Sequence, residues 1–477
     1  MQVDYDLVVI GTGPAGEKAA AQAAYFGKRV LTVERAAEPG GAGTHTGTVP
    51  SKTLREASMY LSGYRSRDMY GIAVELEKTA TLPRLMSRKA AIEESESKRI
   101  RHNLERHGVT SLRGIGGFLD AHTVLVANDV SAQRVTGSVI LIATGSRPAH
   151  PPGIDFTDER IHDSDEVLDI EHIPASLTIL GAGVIGCEYA CMFAALGVKV
   201  TLVDARDSLL GFLDPEMVAQ LVQSMQRMGV ELRLGLCWES VKRDGDTVVV
   251  VFEGGAQVRN EHLLYTAGRE GRTHDLNLGA VGIEADSRGY LKVNSRYETS
   301  VPNILAAGDV IGFPALAATS MEQGRVAVCH AFGFEYKRSV ADLVPYGIYT
   351  IPEVSAVGET EVTCREKGIR HVTGTARYSE NARGKIAGDT EGMLKLIVDR
   401  STRRLIGVHV IGERATELVH IGQAVVHMGG VVDTFIDMVF NFPSLAEAYK
   451  YAAYECLARL SEEPAGAGRA SLPRHPA

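Results

Sequence analysis

Apolar positions in this chain recur as short unbroken runs that end on glycines. The first, Leu7 to Ile10, leads straight into Gly11. The stretch YDLVVIGTGPAGEKAAAQAAYFGKRVLTVER then reads as an apolar strand, a glycine turn, an alanine-rich helix and a second strand ending on Glu34. Short continuous apolar runs mark strands buried on both faces, and such strands alternating with helices make βαβ units on a parallel sheet. The pattern returns as LTILGAGVIGCEYACMFAALGVKVTLVDA, which runs up to Asp204. Glu34 lies 23 positions after Gly11, and Asp204 lies 23 positions after Gly181. A single GxGxxG is a weak signal. A second copy with the same strand, glycine spacing, helix length and terminal carboxylate predicts two dinucleotide sites, and so two cofactors.

Within each unit the glycines have separate tasks. Gly11 permits the tight turn, Gly13 lets a pyrophosphate approach the backbone at the helix N-terminus, and Gly16 lets helix and strand pack closely; Gly181, Gly183 and Gly186 repeat the spacing. Glu34 and Asp204 can then accept hydrogen bonds from a ribose. Each copy closes with a similar strand and glycine turn, VILIATGSRP at 139–148 and HLLYTAGRE at 262–270. The second unit therefore reads as an insertion that interrupts the first at about Pro151 and ends near Asp275. The resumed part carries NILAAGDVIG, a strand running into Gly308 and Asp309 with a helix from about Thr319. A turn and a carboxylate there can hold the ribityl and phosphate portion of a flavin, although an ordinary turn is the default for a strand ending in GD.

With 477 residues and 45% hydrophobic composition the chain can bury several cores. A net charge of −9 gives no electrostatic reason to bind nucleic acid or an anionic membrane. No basic leader, cleavage site or run of 18 apolar residues appears, so a cytoplasmic protein is expected. Six cysteines show no CxxC spacing; all are expected to be small buried hydrophobes in a reducing compartment, and no metal site is expected. Between Pro83 and His107 alternating Arg, Lys and Glu predict a solvated helix with i,i+4 pairs.

With Gly11 to Gly16, Thr44 to Lys52, Ala143 to Pro148, Gly181 to Glu188 and Ala307 to Val310 in this order, the sequence resembles the flavoprotein disulfide reductases, the group of glutathione reductase and lipoamide dehydrogenase. Stretches such as THTGTVPSK, DSRGYLKVNSRYETS and NFPSLAEAYKYAA are similar to one branch of that family, the soluble pyridine nucleotide transhydrogenases. The resemblance implies an α/β fold class of two Rossmann-like domains, for FAD and NAD(P), plus an α+β C-terminal dimerisation domain, acting as a homodimer. The expected order is FAD domain at 1–150, NAD(P) domain at 151–274, the rest of the FAD domain at 275–345, dimerisation domain at 346–461 and a flexible Pro/Gly/Ala-rich tail at 462–477. For FAD it implies contacts from Gly11, Gly13, Pro14, Ala15, Gly16, Glu34, Arg35, Gly41, Thr44, Gly47, Thr48, Lys52, Ala143, Thr144, Gly145, Gly308, Asp309, Ala315 and Leu316. For the nicotinamide nucleotide it implies Gly181, Gly183, Val184, Ile185, Gly186, Glu188, Asp204, Arg206, Ala267 and Gly268.

One departure decides the chemistry. The family's redox loop reads roughly GGTCLNVGCIPSK, whereas residues 40–52 here read GGAGTHTGTVPSK, with Gly43 and Thr48 under the two cysteines. The family's proton-handling histidine precedes a proline in the partner subunit's HPT-x-x-E segment; here Pro443 and Glu447 keep the spacing but Phe442 replaces the histidine. Loss of both devices implies that thiol–disulfide exchange has been abandoned. What remains by resemblance is Lys52, beside the flavin N5 and paired with Glu188, which stabilises charge on reduced flavin; an ordinary buried ion pair is the structural alternative. The expected activity is FAD-dependent hydride transfer between NADPH or NADH and NAD or NADP by ping-pong. An NAD(P)H dehydrogenase delivering electrons to a quinone or dye is the alternative. His45 in the loop reads as either a structural hydrogen-bonding group or a flavin-tuning one, and His409, His420 and His427 as packing at or near an interface. Asp204 favours NAD, while Arg206 could reach the 2′-phosphate of NADP.

Overall fold

The computed structural model describes residues 3–63 and 78–462, so the expected tail, after its first residue, lies outside the described residues. These form two compact units: residues 3–63, 78–207 and 231–342 make one, and 208–230 with 343–462 make the other.

The first unit contains two parallel sheets. In one, Tyr5–Ile10 lies between Val30–Glu34 and Ala132–Ile142, with Thr110–Arg113 and Ile304–Ala306 outside them, all parallel. Leu7, Val8, Val9 and Leu31 are wholly buried, as strands covered on both faces must be. The alanines of helix Pro14–Tyr25 let helix Ala317–Phe332 pack close: a side chain at Gly324 would meet the carbonyl of Ala15 at 2.2 Å. Ala132–Ile142 continues antiparallel into Thr123–Ala127 and Ile115–Asp120. The second sheet has the parallel order Glu231–Leu234, Lys199–Asp204, Ser176–Leu180, His262–Tyr265, Ile161–Asp163. Beside it lies an antiparallel trio, Trp238–Asp244, Thr247–Phe252 and Gln257–Asn260. Where the chain passes from one sheet to the other and back, Ser146–Pro148 pairs antiparallel with Arg269–Gly271.

The second unit is an antiparallel sheet in the order Tyr346–Ile348, Val354–Gly358, Leu405–Ile411, Met393–Asp399, His371–Arg377. Its core joins Val408, Val410 and Leu396 to Leu418 and Val419 of helix Ala415–His427 and to Tyr449 and Ala452 of helix Ala448–Ser461. Residues 208–230, inside the span expected for the second nucleotide domain, pack here. Asp214 caps helix Pro215–Arg227 and is fully buried, accepting a 2.9 Å hydrogen bond from the buried Lys395 ammonium.

Three expectations need correction. Cys237 is exposed although the other five cysteines are buried; it lies in the short link between strands Glu231–Leu234 and Trp238–Asp244 rather than inside a packed element. The charged helix, Lys78–Arg106, is not wholly solvated, because Leu82, Leu85, Ile100 and Leu104 form a buried stripe and the buried Lys89 bonds Asp169 at 2.7 Å. His409 lies at no surface: it is fully buried in its strand with Nε2 at 2.8 Å from the Glu359 carbonyl. His420 and His427 are exposed. No helix among the described residues is long and apolar enough to cross a membrane.

Candidate active site

Both glycine turns are built alike. Gly11 and Gly181 have φ of +102° and +111°, and a side chain at either would strike the strand that closes its unit, at Ala143 or Ala267. A Cβ on Gly16 would lie 1.9 Å from the Gly11 carbonyl, and one on Gly186 1.8 Å from that of Gly181. Gly13 and Gly183 differ. Each has an ordinary negative φ; a Cβ on Gly183 would meet nothing within 4 Å, and one on Gly13 would only touch Gly41 at 3.8 Å. Neither backbone strain nor protein packing demands glycine there. The middle glycines instead keep open the space before helices Pro14–Tyr25 and Val184–Ala195, whose first turns receive no side-chain cap. That is the shape and polarity a pyrophosphate requires.

The carboxylates at the strand ends are held in matching ways. Glu34 accepts hydrogen bonds from the Thr12 amide at 2.9 Å and from its hydroxyl at 2.6 Å, and Asp204 accepts one from the Ala182 amide at 2.6 Å. Asp204 also takes the Arg206 guanidinium in a two-pronged pair, 2.9 Å to Nε and 2.8 Å to Nη2. Burial raises the Asp204 pKa, but the Arg206 and Ala182 hydrogen bonds outweigh it and leave the carboxyl below its usual range. Arg206 thus lies back on Asp204 rather than reaching outward. Arg35 is spent on a 3.5 Å pair with Asp275.

The other predicted residues of the first unit gather around its turn. A Cβ on Gly41 would come within 2.8 Å of Gly13, and one on Gly308 within 3.0 Å of Ala15. Asp309 is oriented by Ser320 at 3.1 Å and Ser146 at 3.3 Å. Ala315, at φ +47°, and Leu316 lead into helix Ala317–Phe332. Between Ala143 and Gly145, the Thr144 hydroxyl is buried with no hydrogen-bond partner among the described residues, an orphan that a bound flavin nucleotide could satisfy. Gly268, at φ +135°, follows Ala267 opposite Gly181.

Lys52, on helix Thr48–Leu61, and Glu188, on helix Val184–Ala195, meet at 2.6 Å. Their side chains are 26% and 10% exposed, so the ammonium is held in place yet remains within reach of a ligand. The loop before Lys52 contains no thiol: Gly43 packs toward Pro14, where a Cβ would stand 2.9 Å from the ring, and Thr48 is exposed. Gly47 precedes the helix. His45 Nε2 lies 3.1 Å from the Pro39 carbonyl and 3.5 Å from Ser97, a structural tie across the loop. In the second unit Phe442 is 74% exposed.

The sequence reading missed the groups that hold these carboxylates. Thr12, the middle residue of the first GxG, orients Glu34. Arg269 bonds Ser146 at 2.9 Å, and its guanidinium lies 3.5 Å from Asp165, whose carboxyl burial pushes upward. Arg269 directly follows the glycine turn at Gly268, but its partners Ser146 and Asp165 lie more than 100 residues away in the sequence, and Asp165 has no sequence signal of its own.

Comparison with known proteins places this geometry. The model of the pyridine nucleotide-disulphide oxidoreductases matches residues 5–324, and that of their dimerisation domain matches residues 344–453. The chain belongs to this family. It is 48% identical to the soluble pyridine nucleotide transhydrogenase of Mycobacterium tuberculosis over 96% of this chain and 98% of that one. It is 41% identical to that of Colwellia psychrerythraea, over 96% and 99%. Among solved structures it resembles LpdA from Mycobacterium tuberculosis, with a TM-score of 0.86 and 30% identity over 94% of this chain and 99% of that one. It also resembles the HOCl-induced flavoprotein disulfide reductase RclA from Escherichia coli, at a TM-score of 0.85 and 29% identity over 94% and 99%. As a member of the family the chain is an oxidoreductase of pyridine nucleotides that uses FAD and NAD(P), with two dinucleotide-binding sheets and a dimerisation domain.

Proposed function

We propose that this protein is a pyridine nucleotide transhydrogenase: hydride from NADPH or NADH passes to NAD or NADP in two half-reactions at one nicotinamide site, without disulfide chemistry. The observation that carries the reading is a site that keeps the Lys52–Glu188 pair at 2.6 Å while positions 43 and 48 hold glycine and threonine. The 48% identity to a soluble transhydrogenase supports the same reading.

FAD, when bound, supplies a two-electron store between the two nicotinamides. The chain does the rest. Gly13 and the open first turn of helix Pro14–Tyr25 would hold the FAD pyrophosphate, Glu34 a ribose, Thr144 and Asp309 further polar groups of that cofactor. Gly183 and Asp204 would do the same for the nicotinamide nucleotide. Lys52 presents a fixed positive charge where negative charge develops during hydride transfer, and Glu188 prevents the ammonium from swinging away. Without a thiol or a proton-handling histidine, no path leads onward to a disulfide. We assign the active unit as a homodimer, in which Val439 and Phe442, 93% and 74% exposed, belong to the face that the second copy covers.

The test is anaerobic rapid mixing of NADPH-reduced protein with NAD, a thio-nicotinamide analogue, a quinone or lipoamide. The nicotinamides should reoxidise the flavin fastest and lipoamide not at all. A quinone faster than either nicotinamide would make the protein an NAD(P)H dehydrogenase, and turnover of lipoamide would show that a thiol pair operates.

A further inference from the structure

Away from both glycine turns, three histidines and a glutamate converge on the inserted parallel sheet. His262 opens the strand His262–Tyr265 and is in register with Leu177 at the start of Ser176–Leu180. The glycine turn at Gly181 follows the other end of that strand, four residues or roughly 13 Å away. His162 is the middle residue of Ile161–Asp163, and His172 comes from the connection that leads to Ser176.

The contacts are specific. His172 Nε2 lies 3.0 Å from Glu261 Oε1, and His262 Nε2 lies 3.9 Å from the same oxygen. Glu261 Oε2 is fixed by the Ala175 amide at 2.6 Å. His262 Nδ1 is 2.8 Å from His162 Nε2. His262 is only 3% exposed, and its Nε2 is buried without a hydrogen-bond partner among the described residues. A buried imidazole nitrogen left with nothing to bond is costly, and here it is aimed at a carboxylate and a second imidazole.

We propose that His172 Nε2, His262 Nε2 and Glu261 Oε1 bind one divalent transition-metal ion of the zinc class, with solvent completing the coordination. All three donor atoms lie within 4.8 Å of one another. Tetrahedral zinc with bonds of 2.0–2.1 Å sets its ligands about 3.3 Å apart, and the observed 3.0 and 3.9 Å bracket that value. Two imidazoles with one carboxylate suit zinc rather than calcium or magnesium, which take oxygen ligands.

The surroundings agree. His262 Nε2 is buried and makes no hydrogen bond among the described residues, so no existing bond has to be broken for it to take an ion. With Nε2 as the donor, Nδ1 carries the proton and gives it in a hydrogen bond to His162, the arrangement that orients metal-bound histidines. At His172 the ring proton moves from Nε2 to Nδ1, leaving Nε2 free for the ion. Arg160 opposes the added charge, its Nη1 lying 3.5 Å from Glu261 Oε1, but the same atom is held at 2.9 Å by the Asp246 carbonyl. The other cluster of possible metal ligands among the described residues, Asp214, Glu216 and Glu361, is already filled by the Lys395 ammonium. The ion would clip the segment around His172 to the first residue of a central strand.

The test uses the flavin-loaded full-length protein, stripped with a chelator and then titrated with zinc against a chromogenic competitor. Wild type should take up one zinc per subunit, with a melting temperature that rises on zinc addition. His172→Ala, a change at a half-exposed side chain outside the nucleotide sites, should bind at least about tenfold more weakly and lose the rise. Cobalt should give the intense visible bands of a tetrahedral site in wild type and not in His172→Ala or Glu261→Gln. Equal zinc affinity in wild type and His172→Ala, or no zinc uptake by wild type, overturns the proposal.

Discussion

At the residue scale, the site depends on a few side chains whose partners define what each can do. Lys52→Met should lower the rate of flavin reduction by NADPH by about 10²–10³, the usual effect of removing one preorganised charge partner from a developing anion, while flavin content stays near one per subunit. Unchanged reduction with lost stability would mean that the ion pair with Glu188 serves only to hold two helices together. Under the proposed function the nucleotide preference turns on Asp204, whose carboxylate is shared between the Ala182 amide and the folded-back Arg206. NAD(H) should bind more tightly than NADP(H). Asp204→Asn should shift the balance toward NADP(H) by about 1–3 kcal/mol, because it removes a repulsive charge and frees the guanidinium for a 2′-phosphate. Arg206→Ala should weaken NADP(H) selectively; equilibrium titration of both nucleotides against each variant separates these outcomes from a mere change in fold.

At the element scale, the two βαβ units show why some glycines are legible in a sequence and others only in a structure. Spacing alone marked Gly181, Gly183 and Gly186 as one motif, yet their surroundings differ. Gly186→Ala would drive a methyl group into the Gly181 carbonyl, 1.8 Å away, and should cost about 1–3 kcal/mol or more of stability by denaturant unfolding. Gly183→Ala meets no protein atom within 4 Å, so it should leave stability nearly unchanged and weaken nicotinamide nucleotide binding by at least about tenfold. Equal effects of the two changes on unfolding would show that the open space is not the ligand's. Strands, glycine turns and the helix between them were readable because hydrophobic period and turn chemistry are local. Lys52 and Glu188 were paired by resemblance, since 136 residues separate them. The buried stripe of the long charged helix was hidden by the number of charges around it. The roles of Thr12, Ser146 and Arg269 in aiming carboxylates emerge only when separate strands meet.

At the scale of the molecule, the C-terminal unit carries the face assigned to the proposed dimer and a pH dependence of stability. Phe442→Asp places a charge on an exposed apolar position and should leave the subunit folded while sedimentation shows monomers and flavin content falls. Dimers with full flavin would place the shared face elsewhere. His409 gives this unit a pH dependence. Burial holds its pKa below the ordinary 6.5, against the opposing pull of Asp214 and with Lys395 and Glu361 close by. As pH falls below about 6.5 the unfolded chain takes up a proton that the folded ring refuses, so stability declines by up to about 1.4 kcal/mol per pH unit. Above that pH the contribution is constant. His409→Gln should flatten the slope of unfolding free energy between pH 5 and 6.5 relative to wild type, whereas Asp214, with its carboxyl held below the usual range by Lys395 despite burial, matters only below about pH 3.8. The helix that Asp214 caps comes from the middle of the chain although it packs in the C-terminal unit, and this limits how the chain can be shuffled by recombination. A crossover that brought in residues 343–462 without a lysine at position 395 would leave the buried Asp214 carboxylate without its ammonium, so the two segments have to match at these positions.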